Sequence, residues 1–239
     1  MFGSVEAIAG EDGLDPRQYS VRTAKYTEAL GKGVSGLRIG VVTEGFGLEN
    51  SEADVDESVR KGAKLFEDMQ AQVEEVSIPM HLLGQAIWTP LAIEGLHGQM
   101  MLGNGYGMNW KGLYLTSLMD RHAQWRERAD ELSPTLKLCM FVGEWFTKQY
   151  NGRFYGKSQN LARQLSEIYT KALQDYDLLL MPTLPMKATP LPPPDAPLPL
   201  YIQRAFEMIA NTAPFADRDF LFIKHDVTNY IYLDGPVDF

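Results

Sequence analysis

The hydrophobic pattern is densest at Asp177-Leu-Leu-Leu-Met-Pro-Thr-Leu-Pro185, where four apolar residues, Leu178 to Met181, run without alternation. A short unbroken apolar run bounded by turn formers predicts a strand buried on both faces. Pro182 lacks a backbone donor and stops that strand, and a proline-rich loop follows from Met186 to Pro199, with polyproline II as its natural conformation. Upstream, Leu37, Ile39, Val41 and Val42 predict a second strand, and Gly45 and Gly47 a turn. Ser51 and Asp54 form a Ser-x-x-Asp capping pattern, and Val55, Val59, Ala63, Phe66 and Met69 then recur at helical spacing. Val73, Val76 and Ile78 give a further strand ended by Pro79. Strand, amphipathic helix and strand in this order predict a βαβ crossover with parallel pairing.

Residues 80–150 carry mainly helical patterns, with Met80 to Leu102 interrupted by Pro90. A glycine-rich stretch with a tryptophan, Gly103 to Gly112, precedes helices over Leu115–Leu132 and Leu136–Tyr150. The longest helix is expected at 157–174, with Leu161, Leu165, Ile168, Ala172 and Leu173 as its apolar face and Tyr169 at the flank. A helix resumes over Leu200–Ala210, and the tail after Phe215 changes character, with a pattern that fits one or two strands. The fold class is therefore α/β.

Composition narrows the function. With 239 residues, 45% hydrophobic and 22% charged, the chain is ordinary for a globular protein. A net charge of −9 without a basic cluster argues against nucleic acid or an anionic membrane as partner. No apolar run approaches the ~18 residues that span a bilayer, and the N-terminus has no basic region or long apolar core, so a cytoplasmic location is expected. Cys139 is the only cysteine and sits among apolar residues, which predicts a structural thiol. The chain opens on what reads as the end of a helix closed by Gly10, as if entered partway through.

Chemistry is sparse. Ser58-Val-Arg-Lys61 fits Ser-x-x-Lys but lies within an amphipathic helix, and neither Ser-Asp-Asn nor Lys-Thr-Gly accompanies it, so a solvated helix face is the better reading. His81, His97, His122 and His225 are scattered without helical pairing, so no metal or other cofactor is expected. Gly103-x-Gly105-x-Gly107 follows no strand and is not a dinucleotide fingerprint. Glu94 lies in an apolar helical stretch and is expected on its exposed side.

Several segments, in order, resemble the amidase signature family: Glu6 to Pro16, Gly36 to Val42, Asp54 to Val59, Val73 to Pro79, Asn104 to Gly112, Tyr176 to Pro185 and Asn211-Thr-Ala-Pro-Phe215. The Asn104 to Gly112 segment is similar to the larger bacterial and fungal amidases. The resemblance implies hydrolysis of a carboxylic amide to acid and ammonia, by a serine nucleophile whose proton passes through a cis-peptide serine to a lysine, with a backbone oxyanion hole. The family's lysine, glycine-serine loop and nucleophile should all precede residue 5, so no residue here inherits a catalytic role. The resemblance implies a partial amidase-signature domain over 1–215, α/β with a mixed β-sheet core covered by helices, lacking N-terminal strands and inactive alone, with a divergent tail at 216–239. A non-catalytic binding protein that keeps an amidase-like pocket is the alternative. Trp88, Trp110, Thr183 and Asn211 are the expected substrate-pocket residues, the partner is a small-molecule amide, and self-association into a homo-oligomer stays open.

Overall fold

A computed structural model describes residues 2–14, 23–107, 113–216, 221–225 and 229–233, the last two segments as backbone. A mixed sheet lies at the centre. Strands β1 (Arg38–Val42), β2 (Gln72–Val76), β3 (Leu178–Pro182), β4 (Leu221–His225) and β5 (Asn229–Leu233) take the order β2-β1-β3-β5-β4. β1 pairs in parallel with β2 (Ile39 opposite Val73) and with β3 (Ile39 opposite Leu178). β5 pairs antiparallel with both β3 and β4. At the start of β3, the Asp177 carboxylate accepts the Arg38 backbone N–H at 2.7 Å and its guanidinium at 3.0 Å, which locks the β1–β3 register.

The uniform apolar run of β3 is buried along its whole length. Its side chains alternate between two clusters, as a pleated strand requires. Leu178 and Leu180 join Ile39, Val41, Val59 and Ala63 on one face, while Leu179 and Met181 join Val42, Ile87, Leu165 and Tyr169 on the other. Helix α3 (Ala53–Asp68) covers the first face through Val55, Val59 and Ala63, one turn apart as the spacing predicts. Its start differs from expectation. Glu52 is the N-cap, with no side-chain cap, and Ser51 Oγ instead accepts the Leu48 N–H in the preceding turn. Met69 lies past the helix end and is exposed. Gly40 in β1 is required by space, since a Cβ there would stand 2.9 Å from both Leu179 and Val76 and 3.0 Å from the Tyr176 ring.

The opposite face carries α4 (Gly84–Gly95) and α7 (Arg153–Ala172). The helix α4 continues through Pro90 rather than breaking there. Burial of Ile87, Leu91 and Glu94 on one side holds it against α7, and this packing outweighs the lost backbone bond. It runs directly into a π-helical turn over Leu96–Leu102. Next come α5 (Thr116–Ala123) with a 3-10 extension to Glu131, and α6 (Pro134–Tyr150), capped by the Ser133 hydroxyl on the Leu136 N–H at 3.2 Å. α6 stops at Asn151 and Gly152, both left-handed. α7 therefore starts at Arg153, earlier than the glycines suggested. Its buried stripe is Ser158, Ala162, Leu165 and Tyr169, so Tyr169 is central and Ile168 is exposed, the reverse of the sequence expectation. The short helices α1 (Phe2–Ile8) and α2 (Tyr26–Ala29) lie at the N-terminal end, and α8 (Leu198–Phe206) follows the proline-rich loop, starting after Pro197 in a polyproline-like φ/ψ of −64° and 144°. No helix among the described residues is long and apolar enough to cross a membrane.

Candidate functional site

The carboxyl ends of β1 and β3 lie side by side, the usual place for a ligand crevice in an open parallel sheet. β1 turns into a 3-10 segment, Thr43–Gly45, and β3 ends at Pro182. One fully buried residue ties both ends together. Asn211 Nδ2 donates to the Gly45 carbonyl at 2.8 Å and to the Pro182 carbonyl at 2.7 Å. Only an amide nitrogen can serve two carbonyls, so the Asn211 oxygen must face His81 Nε2, 2.9 Å away. His81 Nε2 then carries the proton and Nδ1 accepts from the Tyr169 hydroxyl at 2.6 Å. The Phe215 ring closes the group, 4.7 Å from the Tyr169 ring.

Burial pushes the His81 pKa down, against the raising influence of the Asn211 bond and of the Glu44 charge. His81 is thus a neutral strut with both nitrogens engaged, not a base open to a ligand. Glu44 holds the neighbouring turn. Burial pushes its carboxyl up, but the Ser77 hydroxyl at 2.5 Å and the Ile78 N–H at 2.7 Å more than offset this, and its pKa is lowered. The loop beyond β3 is fastened to the start of α3: Glu52 N–H donates to the Pro185 carbonyl at 2.7 Å, and Lys187 reaches Asp54 at 2.6 Å and Glu52 at 2.7 Å. The Asp54 and Glu52 carboxylates raise the Lys187 pKa.

A crevice of about 520 Å³ opens here, lined in part by Leu48, Glu49, Asn50, His81, Gln85 and Asn211. Its rim is drawn in by Asn50, whose amide donates to the Glu207 carbonyl. Among the described residues no lysine, arginine or serine lines it. Among the described residues no group of three potential metal ligands forms.

The expected pocket residues fall in different places. Asn211 lines the crevice. Thr183 follows the carbonyl that Asn211 holds; it is 4% exposed, and its Oγ1 has no hydrogen-bond partner among the described residues. Trp88 is half-buried on α4 and does not line the crevice. Trp110 lies outside the described residues. Glu94 is not on the exposed side of its helix; it is buried and accepts the Tyr155 N–H at 2.6 Å. The start of α7 comes to it with an unpaired backbone donor, which makes burial tolerable. Sequence reasoning missed His81 and Tyr169. The stripe through Ser158, Ala162 and Leu165 puts Tyr169 inside and was the available signal. Cys139 is half-buried, and burial raises its pKa, which disfavours the reactive thiolate.

The Amidase family profile matches residues 4–220. An enantioselective amidase from Rhodococcus rhodochrous is 41% identical over 211 residues, covering 87% of this chain and 41% of the relative. An uncharacterized protein in the nthA 5′ region of Rhodococcus erythropolis is 45% identical over 151 residues, covering 63% of this chain and 71% of that protein. Among solved structures, a bacterial aryl acylamidase of the amidase signature family aligns with a TM-score of 0.58 at 18% identity, over 93% of this chain and 45% of that one, a likeness of fold. The mixed sheet with helices on both faces is thus that of the amidase signature enzymes. This chain belongs to the Amidase family. It spans about two-fifths of the length of the Rhodococcus rhodochrous amidase.

Proposed function

We propose that this chain forms one wall of the substrate crevice of an enzyme that hydrolyses carboxylic amides to acid and ammonia. The observation that carries the reading is Thr183: a buried hydroxyl without a partner, directly after the central strand, at the carboxyl edge of the sheet. An unsatisfied buried hydroxyl costs about 1–3 kcal/mol and is retained where a ligand or a neighbouring group completes it. The crevice itself, which Asn211 lines and Thr183 does not, carries the carboxamides of Asn50, Gln85 and Asn211, which suit a neutral amide, together with two carboxylates, Glu49 and the Arg204-paired Glu207. Family membership supports the reaction class.

Among the described residues that line this crevice, none takes the part of the nucleophile, relay serine or base. Both His81 nitrogens are occupied, and Lys61 of the Ser-x-x-Lys match is exposed and paired with Glu57 at 2.8 Å. The 239-residue chain alone is therefore inactive, and acts only where another polypeptide segment supplies those groups. With Thr183 and Asn211, Trp88 and Trp110 stay proposed as substrate-contacting residues, Trp88 from outside the crevice that Asn211 lines. We also propose a cytoplasmic location, and a tail at 216–239 distinct from the 1–215 unit; the family match ending at residue 220 supports that boundary, although β5 hydrogen-bonds to β3.

Ammonia release from benzamide and propionamide tests the reading. The purified chain should release none above buffer. Co-expression with a segment carrying the lysine, glycine-serine loop and serine nucleophile should restore turnover, and Thr183→Val in that pair should lower kcat/KM about ten-fold, the loss of one buried hydrogen bond. Turnover by the chain alone overturns the inactivity, and full activity of Thr183→Val in the pair overturns the role of Thr183.

A further inference from the structure

The proline-rich loop between β3 and α8 does not line the crevice. Its centre, Thr189-Pro-Leu-Pro-Pro-Pro194, admits little but one conformation. Each proline has its φ fixed by the ring. Thr189, Leu191, Pro192 and Pro193 each precede a proline, which drives them out of the helical region. Neither helix nor strand covers the stretch. The rod ends in a tight turn, closed by the Ala196 N–H on the Pro193 carbonyl at 2.9 Å.

Burial along the rod repeats at every third residue, as the polyproline II helix requires. Thr189 and Pro192 are half-buried and rest on the domain. Pro190 and Pro193 form one exposed edge, and Leu191 and Pro194 the next. Leu191 is 91% exposed, the most exposed large apolar side chain among the described residues. A loop serving only as a cover would turn that leucine inward. The rod is also held at its start. The Lys187 N–H donates to Glu52 at 3.0 Å, its ammonium reaches Asp54 at 2.6 Å, and the Thr189 side chain hydrogen-bonds the Glu207 carboxylate. A rod already ordered loses little entropy on binding.

Exposed polyproline edges are gripped by grooves lined with aromatic rings. Charge narrows the choice of groove. Asp195, just past the rod, is exposed and has no ion-pair partner among the described residues. No lysine or arginine lies between Lys187 and Arg204, and the chain as a whole carries a net charge of −9. A groove with an acidic rim is thus repelled, and one with a basic rim is attracted. We propose that the Pro190–Pro194 rod is a docking strip for a partner protein with an aromatic, basic-rimmed proline groove. The two exposed edges enter the groove, Asp195 meets its rim, and docking requires no turnover at the crevice.

Titration of an isotope-labelled WW domain, with a tyrosine–tryptophan groove and an arginine rim, by the unlabelled 239-residue chain tests this by NMR. The groove resonances should shift and saturate. An SH3 domain with an acidic rim should bind at least about ten-fold more weakly. The double variant Pro190→Ala, Pro193→Ala should weaken the WW complex at least about ten-fold at an unchanged melting temperature, since both rings are exposed. Leu191→Ser should weaken it several-fold and serves as the check if the double variant folds poorly. Asp195→Lys should weaken the WW complex and strengthen the SH3 complex. Absence of saturable WW binding, equal binding of the two domains, or undiminished binding in Leu191→Ser overturns the proposal. A large fall in melting temperature in Leu191→Ser makes the strip a structural cover and also overturns it.

Discussion

Asn211 is the residue on which the two strand ends depend. It is fully buried and serves three partners, the carbonyls of Gly45 and Pro182 and the ring of His81. Asn211→Ala strands all three in the interior, and each lost partner costs on the order of 1–3 kcal/mol. The expected outcome is a loss of at least about 2 kcal/mol, read from the midpoint of urea unfolding. The pH behaviour follows from His81. Its folded pKa lies below its unfolded value of about 6.5. The unfolded chain therefore takes up the proton first, so the contribution is whole above about pH 6.5 and is lost as pH falls towards the folded value, at up to about 1.4 kcal/mol per pH unit. Glu44 and Asp177 have lowered pKa values, so their contribution is lost below about pH 4.5, outside the window between about pH 6.5 and 4.5 in which that of His81 falls. Urea midpoints measured across that window should fall steadily, and NMR should show a neutral His81 ring well below pH 6.5; flat midpoints contradict the assignment. Asn211 was singled out in the sequence by its family-like segment. His81 was not, because its partners stand 88 and 130 residues away and no local spacing reports them.

At the level of elements, the legible parts are those whose burial is uniform or strictly periodic. β3 has no polar position to misplace, and α3 keeps Val55, Val59 and Ala63 in phase. On α7 the expected Leu161, Leu165, Ala172 and Leu173 do pack on the core, but Ile168 is exposed and the fully buried line runs through Ala162 and Tyr169 instead. Hydrophobicity alone does not fix the phase when apolar residues flank the buried line. Pro90 misled for a different reason, since tertiary burial of α4 outweighs the local penalty. The docking of α4 is tight at its first residue: a Cβ on Gly84 would stand 2.1 Å from Pro214 Cγ. Gly84→Ala should destabilise by about 1–3 kcal/mol through overpacking. Leu179→Ala, which empties a fully buried position in β3, should cost about 2–5 kcal/mol. Both are measured by chemical denaturation, and a change under half a kcal/mol at either site contradicts the packing described.

Across the whole molecule, apolar residues also reach the surface. On α6, Phe141 is 75% and Trp145 52% exposed, one helical turn apart. Adjacent exposed aromatics favour association. The double variant Phe141→Ser, Trp145→Ser should reduce concentration-dependent association in sedimentation velocity without lowering stability; an unchanged profile places any association elsewhere. The parallel order of β1 and β2 was legible from the strand–helix–strand pattern, whereas the insertion of β3 beside β1 was not, since no local signal links segments so far apart. That distance has a consequence for synthesis. Arg38 and Asp177, which lock the two strands, are separated by 139 positions. At roughly 5–20 residues per second, a ribosome takes on the order of ten seconds to make the intervening chain. The β1–α3–β2 unit emerges first and waits that long with one flank of β1 unpaired. Conditions that slow elongation within this stretch should therefore lower the yield of folded protein more than the same delay placed after Pro182.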